Sequence, residues 1–64
     1  MNEQLRMAEQ YIDDAALSIV DGNKEYARRY MVSARNILDA VQGAPMDEMV
    51  EAWEYFQAVA RLCL

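Results

Sequence analysis

The sequence predicts an all-α fold, a small antiparallel three-helix bundle made of a helical hairpin and a third helix, with oligomerisation left open. Three stretches carry apolar residues at the alternating spacings of three and four that are typical of amphipathic helices. Two short segments, Asp21-Gly22-Asn23 and Gly43-Ala44-Pro45, interrupt them. Connections this short force neighbouring helices to run antiparallel. Because 64 residues form one domain at most, we expect a single helical domain over residues 1–64.

The first predicted helix spans about residues 2–21. Its apolar row consists of Leu5, Ala8, Ile12, Ala15 and Ile19. Two apolar residues fall outside this row: Met7 lies at its side, and Leu17 lies in the middle of the polar face. Single exposed apolar residues are ordinary in soluble proteins, so incidental exposure and a contact surface both remain open.

The second predicted helix spans about residues 23–42, after a turn in which Gly22 supplies a left-handed residue. Its N-cap is Asn23, or Asp21 if the turn is tighter. Its apolar residues share an arc of roughly 140°. Val32 is the apolar exception on its charged face. Spacing predicts two ion pairs on that face, between Glu25 and Arg29 and between Arg35 and Asp39.

The third predicted helix spans about residues 46–62. Gly43 suits the position after a helix end, and Pro45 suits the first turn of the next helix. Small residues on the first two helices predict a close approach between them. The predicted core of the bundle is Leu5, Ile12, Ala15, Ile19, Ala27, Tyr30, Ala34, Ile37, Leu38, Val41, Met49, Trp53, Phe56 and Ala60. The alternative architecture is a helical hairpin whose third helix docks on another copy of the chain.

Small residues between positions 11 and 39 resemble the small-residue ladder of a tetratricopeptide repeat. They are Ala15, Gly22, Ala27 and Ala34, and Tyr11 stands where that repeat has an aromatic residue. The sequence departs from the residues that the family prefers at Asp14, Ser18, Met31 and Asp39. The resemblance implies a closely packed helical hairpin and no repeat array, since a single unit is present.

The residue types argue against catalysis and against a bound metal or cofactor. The chain has no histidine, which is the usual acid–base group at neutral pH. Its one cysteine, Cys63, has no imidazole partner and cannot form an intrachain disulfide. The helix periodicity places the carboxylates on solvated faces, opposite the apolar rows, so we expect no metal site. We therefore expect no enzyme and no cofactor.

Charge narrows the classes of partner. A net charge of −5 and a pI near 4.4 disfavour nucleic acids and anionic membranes. No apolar run approaches the ~20 residues of a membrane span, and no signal peptide is recognised at residues 1–10. A single free cysteine suits a reducing compartment, so we expect a cytoplasmic protein. Four of the six cations lie on the second helix, which keeps RNA or DNA binding by a basic helix as an alternative; they are Lys24, Arg28, Arg29 and Arg35.

We therefore expect a non-enzymatic protein-binding module. A chain that is 55% apolar and this short has little interior in which to bury those residues. A Met-initiated chain of this size also suits a small regulator or inhibitor of a larger complex, of the kind that phages and plasmids encode. The alternative is a structural homo-oligomer such as a homodimer. The predicted partner-binding residues are the off-row apolar side chains and the neighbouring cations: Met7, Leu17, Val32, Arg28 and Arg35.

Overall fold

The computed structural model describes residues 2–64 as three α-helices. Helix α1 spans Glu3–Val20, α2 spans Lys24–Ala40 and α3 spans Met46–Cys63. Each helix packs against both of the others in an elongated bundle of 35 × 16 × 15 Å. The predicted antiparallel three-helix bundle is thereby confirmed. In the structure α3 packs on α1 and α2 of its own chain, rather than on another copy of the chain as in the alternative architecture.

Asparagine side chains cap the N-termini of the first two helices. The Oδ1 atom of Asn2 accepts hydrogen bonds from the backbone N–H groups of Gln4 and Leu5, at 2.8 and 3.2 Å. The Oδ1 atom of Asn23 accepts from the N–H of Tyr26 at 3.2 Å. These bonds satisfy amides that have no partner inside a helix, and each such cap contributes about 1 kcal/mol.

The first connection closes α1 as the sequence predicts. Gly22 has a φ of +81°, which places it in the left-handed region. Its N–H donates to the carbonyl of Ile19 at 3.0 Å, and the N–H of Asn23 donates to the carbonyl of Ser18 at 2.8 Å. This pair of bonds is the Schellman motif, and it returns the chain at once into α2.

The second connection differs from the prediction. Helix α2 ends at Ala40, and Val41 is extended with φ −65° and ψ 133°. The half-buried Val41 side chain packs against the core, and the Gln42 carbonyl accepts a 3.3 Å hydrogen bond from Asn2 Nδ2. These contacts favour an extended chain over another helical turn. Gly43 therefore has its positive φ of +74° beyond the helix end, and Pro45 precedes α3 rather than lying in its first turn.

Four fully buried alanines line the contact between α1 and α2, and the close approach predicted for these helices is confirmed; they are Ala8, Ala15, Ala27 and Ala34. Half of the predicted core is only half-buried: Ile19, Tyr30, Ile37, Val41, Met49, Trp53 and Ala60. The buried residues absent from that prediction are Ala8, Met31, Ala52, Val59 and Cys63. The buried arcs of α2 and α3 are thus rotated slightly from the predicted ones, toward Met31 and Cys63.

Candidate functional site

The apolar side chains that the sequence analysis singles out are all exposed. Leu17 is 63% exposed and Val32 is 55% exposed, and Met7 is exposed to a similar degree. Met7 and Leu17 lie on α1, whereas Val32 lies on α2. Their exposure leaves the predicted role in partner binding as a prediction, and their positions divide them into separate surfaces.

Val32 and Arg35 come together with side chains from α3. They line a groove of about 370 Å³ between α2 and α3, which we call the α2–α3 groove. Its other sides are formed by Asp39 of α2 and by Trp53, Gln57 and Leu64 at α3. The Trp53 ring packs edge to face on the buried Phe56 ring, with centroids 5.4 Å apart. This contact holds the indole in place at the groove wall, since edge-to-face aromatic pairs add to simple burial.

Helix α3 has a second apolar row beside its buried one. The buried row begins with the half-buried Met49 and continues with Ala52, Phe56, Val59 and Cys63. The second row, which we call the outer row, is Met46, Val50, Trp53, Gln57, Ala60 and Leu64. Its spacings of four and three alternate along the whole helix, as they do in rows that pack against another helix. Met46 and Leu64 at its ends are 77% and 68% exposed, so this row is largely open to solvent.

Sequence reasoning alone missed the outer row. On a helical wheel the two rows are only about 100° apart, so together they look like one broad apolar face. The signal that separates them is Gln57, the single polar member of either row. Trp53 and Ala60 belong to the predicted core, whereas the structure leaves both half-buried. Trp53 lines the α2–α3 groove, and Ala60 lines a separate depression beside Gln57 and Leu64.

The three arginines of α2 have partners within the chain. The Nε atom of Arg28 donates a 2.8 Å hydrogen bond to the carbonyl of Cys63, in the last turn of α3. Arg29 Nη2 lies 3.5 Å from Glu25 Oε1, and Arg35 Nε lies 3.9 Å from Asp39 Oδ2. Both ion pairs occur as the spacing predicts, and both are largely exposed, so each contributes little stability. Arg28 thus ties α2 to α3 next to the groove, and Arg35 places a charge at the groove rim.

Met7 belongs to a different surface from the α2–α3 groove. It lies in shallow depressions of α1 beside Gln10, Tyr11 and Asp14. The Tyr11 ring packs against the Tyr30 ring of α2, with centroids 6.2 Å apart. Leu17 lies further along α1, between polar residues on the face opposite the core. Of the five predicted site residues, the structure therefore brings only Val32 and Arg35 into the α2–α3 groove, and it bonds Arg28 to the end of α3.

A hydroxyl–carboxylate contact joins α1 to α3. The Tyr55 hydroxyl donates to Oδ1 of Asp13. This hydrogen bond raises the pKa of Tyr55 to about 12, with smaller contributions from partial burial and from the negative charges of Asp13 and Glu9. Each of these effects disfavours the phenolate. The contact holds the two helices together and does not prepare a base for neutral pH.

Other kinds of site are not formed by the residues that the structure describes. Over residues 2–64, no three or more acidic, cysteine or histidine side chains are grouped as a metal ion would require. In the same range, none of the helices is both apolar enough and long enough to traverse a bilayer. The Cys63 side chain is buried, with Sγ 3.7 Å from the Val59 carbonyl oxygen.

The fold and this surface define a class of protein, a small antiparallel three-helix bundle with an open apolar groove along its third helix. In comparisons with protein families, with curated proteins and with solved structures, nothing matches this chain.

Proposed function

We propose that this protein is a non-enzymatic protein-binding module that binds through the α2–α3 groove and the outer row of α3. The observation that carries the proposal is the outer row itself, an exposed series of mostly apolar side chains at the spacing of a helix-packing surface. A partner that supplies an apolar helix would cover this row and contact Val32 in the groove.

The chemistry of the groove favours binding over catalysis. Its walls carry an indole, aliphatic groups and an amide, with one cation and one anion at the rim, Arg35 and Asp39. Apolar centres with polar rims are typical of protein interfaces. Arg35 and Trp53 are also the residue types that most often contribute strongly to binding. By its size, such a module suits a cytoplasmic regulator or inhibitor of a larger protein complex.

Affinity capture with two matched variants tests this function. Val32→Glu places a charge inside the groove, whereas Leu17→Glu makes the same kind of change at an equally exposed site on α1. We expect wild type and Leu17→Glu to retain the same partner from extracts of the native cell and Val32→Glu to lose it. Titration of the protein with the purified partner should then shift the fluorescence emission of Trp53, the single tryptophan, and Val32→Glu should abolish this shift.

Two results would overturn the proposed function. One is capture of the same partner by wild type and by Val32→Glu with equal affinity. The other is loss of the partner in Leu17→Glu with retention in Val32→Glu, which would place binding on α1 and away from the groove. Both sites are exposed, so neither change should unfold the bundle. Circular dichroism of each variant checks that its fold is intact.

A further inference from the structure

The outer row of α3 has the pattern of a helix that packs on a second helix, yet α1 and α2 already cover the other row of α3. We propose that the outer row packs against the outer row of a second copy of this chain, with the two α3 helices antiparallel. The inference rests on the proposed function, because it uses the same surface, and it commits that surface to a particular occupant.

The spacing of the outer row fits a two-fold axis. The spacings in the outer row are four, three, four, three and four residues, the same in either direction along the chain. A two-fold axis midway between Trp53 and Gln57 therefore places each residue of the row opposite a residue of the same row in the antiparallel copy. Met46 then faces the partner's Leu64, and Val50 faces the partner's Ala60, which sets a larger side chain against a smaller one. Trp53 faces the partner's Gln57, whose side-chain oxygen can accept a hydrogen bond from the indole N–H. The one polar member of the row thus has a partner at the centre of the interface and fixes its register.

Charges beside the row also complement each other in this arrangement. Asp47 follows Met46 and Arg61 follows Ala60, so both lie on the same flank of the outer row. The antiparallel register brings Asp47 near the partner's Arg61, and the two-fold axis makes this pair occur twice. In a parallel dimer, residues on the same flank of the two helices lie on opposite sides of the interface, so this attraction is absent. Glu51 and Glu54 lie closer to the axis on the same flank, and Glu54 opposes its own copy, so these two residues weaken the dimer.

The size of the surface suits a dimer of this small chain. A stable interface usually buries about 800 Å² on each partner. Only a contact along the 35 Å long axis can approach that area in a bundle 16 Å wide, and the outer row follows this axis through all of α3. A second copy would also remove apolar surface from water in a domain close to the lower size limit for independent stability.

Analytical ultracentrifugation of the full chain tests the proposal. We expect the mass to rise from 7.4 kDa to twice that value as the concentration increases through the micromolar range. Val50→Lys places a charge in the outer row and should leave a monomer. Leu62→Lys makes a comparable change at another exposed site of α3, off the outer row, and should leave the dimer intact. A wild-type chain that stays monomeric throughout this range overturns the proposal, and so does a dimer that Val50→Lys leaves unchanged.

Charge exchange at two exposed residues of α3 tests the antiparallel register. Circular dichroism of each variant checks the fold, because both changes also oppose the helix dipole of α3. Asp47→Arg or Arg61→Asp alone turns two attractive pairs into two repulsive ones, so each should weaken dimerisation about 5- to 30-fold. The double variant restores both attractive pairs and should dimerise like wild type. In a parallel dimer these pairs do not exist, so the double variant would not regain affinity relative to the single variants. Glu54→Gln removes the repulsion at the axis and should tighten the dimer. Single variants without effect, or a double variant without recovery, contradict this register.

The outcomes separate this inference from the proposed function. A monomeric wild type that captures a different protein in a Val32-dependent manner means that the groove binds another protein, so the function stands and the second copy is excluded. A dimer that depends on Val50, with no Val32-dependent partner in the cell, leaves the second copy as the occupant and removes the role as a regulator of a larger complex.

Discussion

Arg28 allows the structure to be tested at a single hydrogen bond. Sequence reasoning assigns its guanidinium to partner or nucleic-acid binding, whereas in the structure its Nε atom donates to the Cys63 carbonyl at 2.8 Å. That carbonyl lies in the last turn of α3, where backbone acceptors have no partner inside the helix and a cation is favourable. Arg28→Gln should therefore destabilise the isolated protein, even when no partner is present.

The expected size of this effect follows from the geometry. A hydrogen bond to a charged group contributes about 1.5–3 kcal/mol when it is well shielded from water. The Arg28 side chain is largely exposed and the bond only partly buried, so solvent screening lowers the expected contribution below that range, to about 1 kcal/mol. For a domain of 60–100 residues, this corresponds to a fall in Tm of about 4–8 °C.

The control for Arg28→Gln is Arg35→Gln. Arg35 lies on the same helix, but its contact with Asp39 is long, at 3.9 Å, and both side chains are largely exposed. Removing it should change the free energy of unfolding by less than about 0.5 kcal/mol. Thermal melts followed by circular dichroism compare the variants, at one protein concentration because self-association would raise Tm. Hydrogen exchange should also become faster at the end of α3 in Arg28→Gln alone.

Equal melting curves for the two variants would refute this interpretation of Arg28. They would show that the bond to the Cys63 carbonyl adds no stability, and that the cation is available to a partner. A large loss of stability in Arg35→Gln would contradict the weak contribution assigned to exposed ion pairs. The pair of variants therefore separates a structural arginine from one that is free to bind.

Three further changes test the core, the connection between α1 and α2, and the contact between α1 and α3. Ile12→Ala empties a fully buried site and should cost about 2–5 kcal/mol in a urea melt, whereas Leu17→Ala at an exposed site should cost less than about 0.5 kcal/mol. Gly22→Ala forces a side chain into a left-handed conformation and should cost about 1–2 kcal/mol, since no neighbouring atom lies close enough to clash. The raised pKa of Tyr55 means that its contact with Asp13 stabilises the fold fully below pH 10, and that this contribution is lost as the pH rises from 10 toward 12. Tyr55→Phe should therefore unfold at lower urea than wild type at neutral pH and show a smaller further loss across that alkaline range.

Local chemistry explains why most of the fold is predictable from the sequence. Asn23 and Gly22 each have a strong positional preference, as an N-cap and as a left-handed residue, and both occupy those positions in the structure. The alanines of α1 and α2 predict a close helix contact because no larger side chain holds the backbones apart. These features depend on neighbours in sequence, so they can be read without coordinates.

The end of α2 could not be predicted in the same way. Val41 continues the apolar periodicity of α2, and nothing in its own residue type stops a helix there. The helix ends at Ala40 because Val41 packs on the core and Gln42 accepts a hydrogen bond from Asn2, which lies 40 residues earlier in the chain. Contacts between residues so far apart in sequence leave no local pattern, which is why the predicted helix extends too far.

The two rows of α3 pose a different problem, because the sequence contains both and does not say which is buried. Phe56 and Gln57 are neighbours in sequence and belong to different rows, so a broad apolar face is all that periodicity reveals. In a bundle of three helices, α3 has two neighbours, and the structure shows them covering the row that contains Phe56. The exposed apolar residues of the row that contains Gln57, which are Met46, Val50 and Leu64, are therefore apolar beyond what the fold of one chain requires. A helix that packs against a further helix outside its own bundle is expected to carry an additional apolar row. For this reason we assign binding to this face of α3.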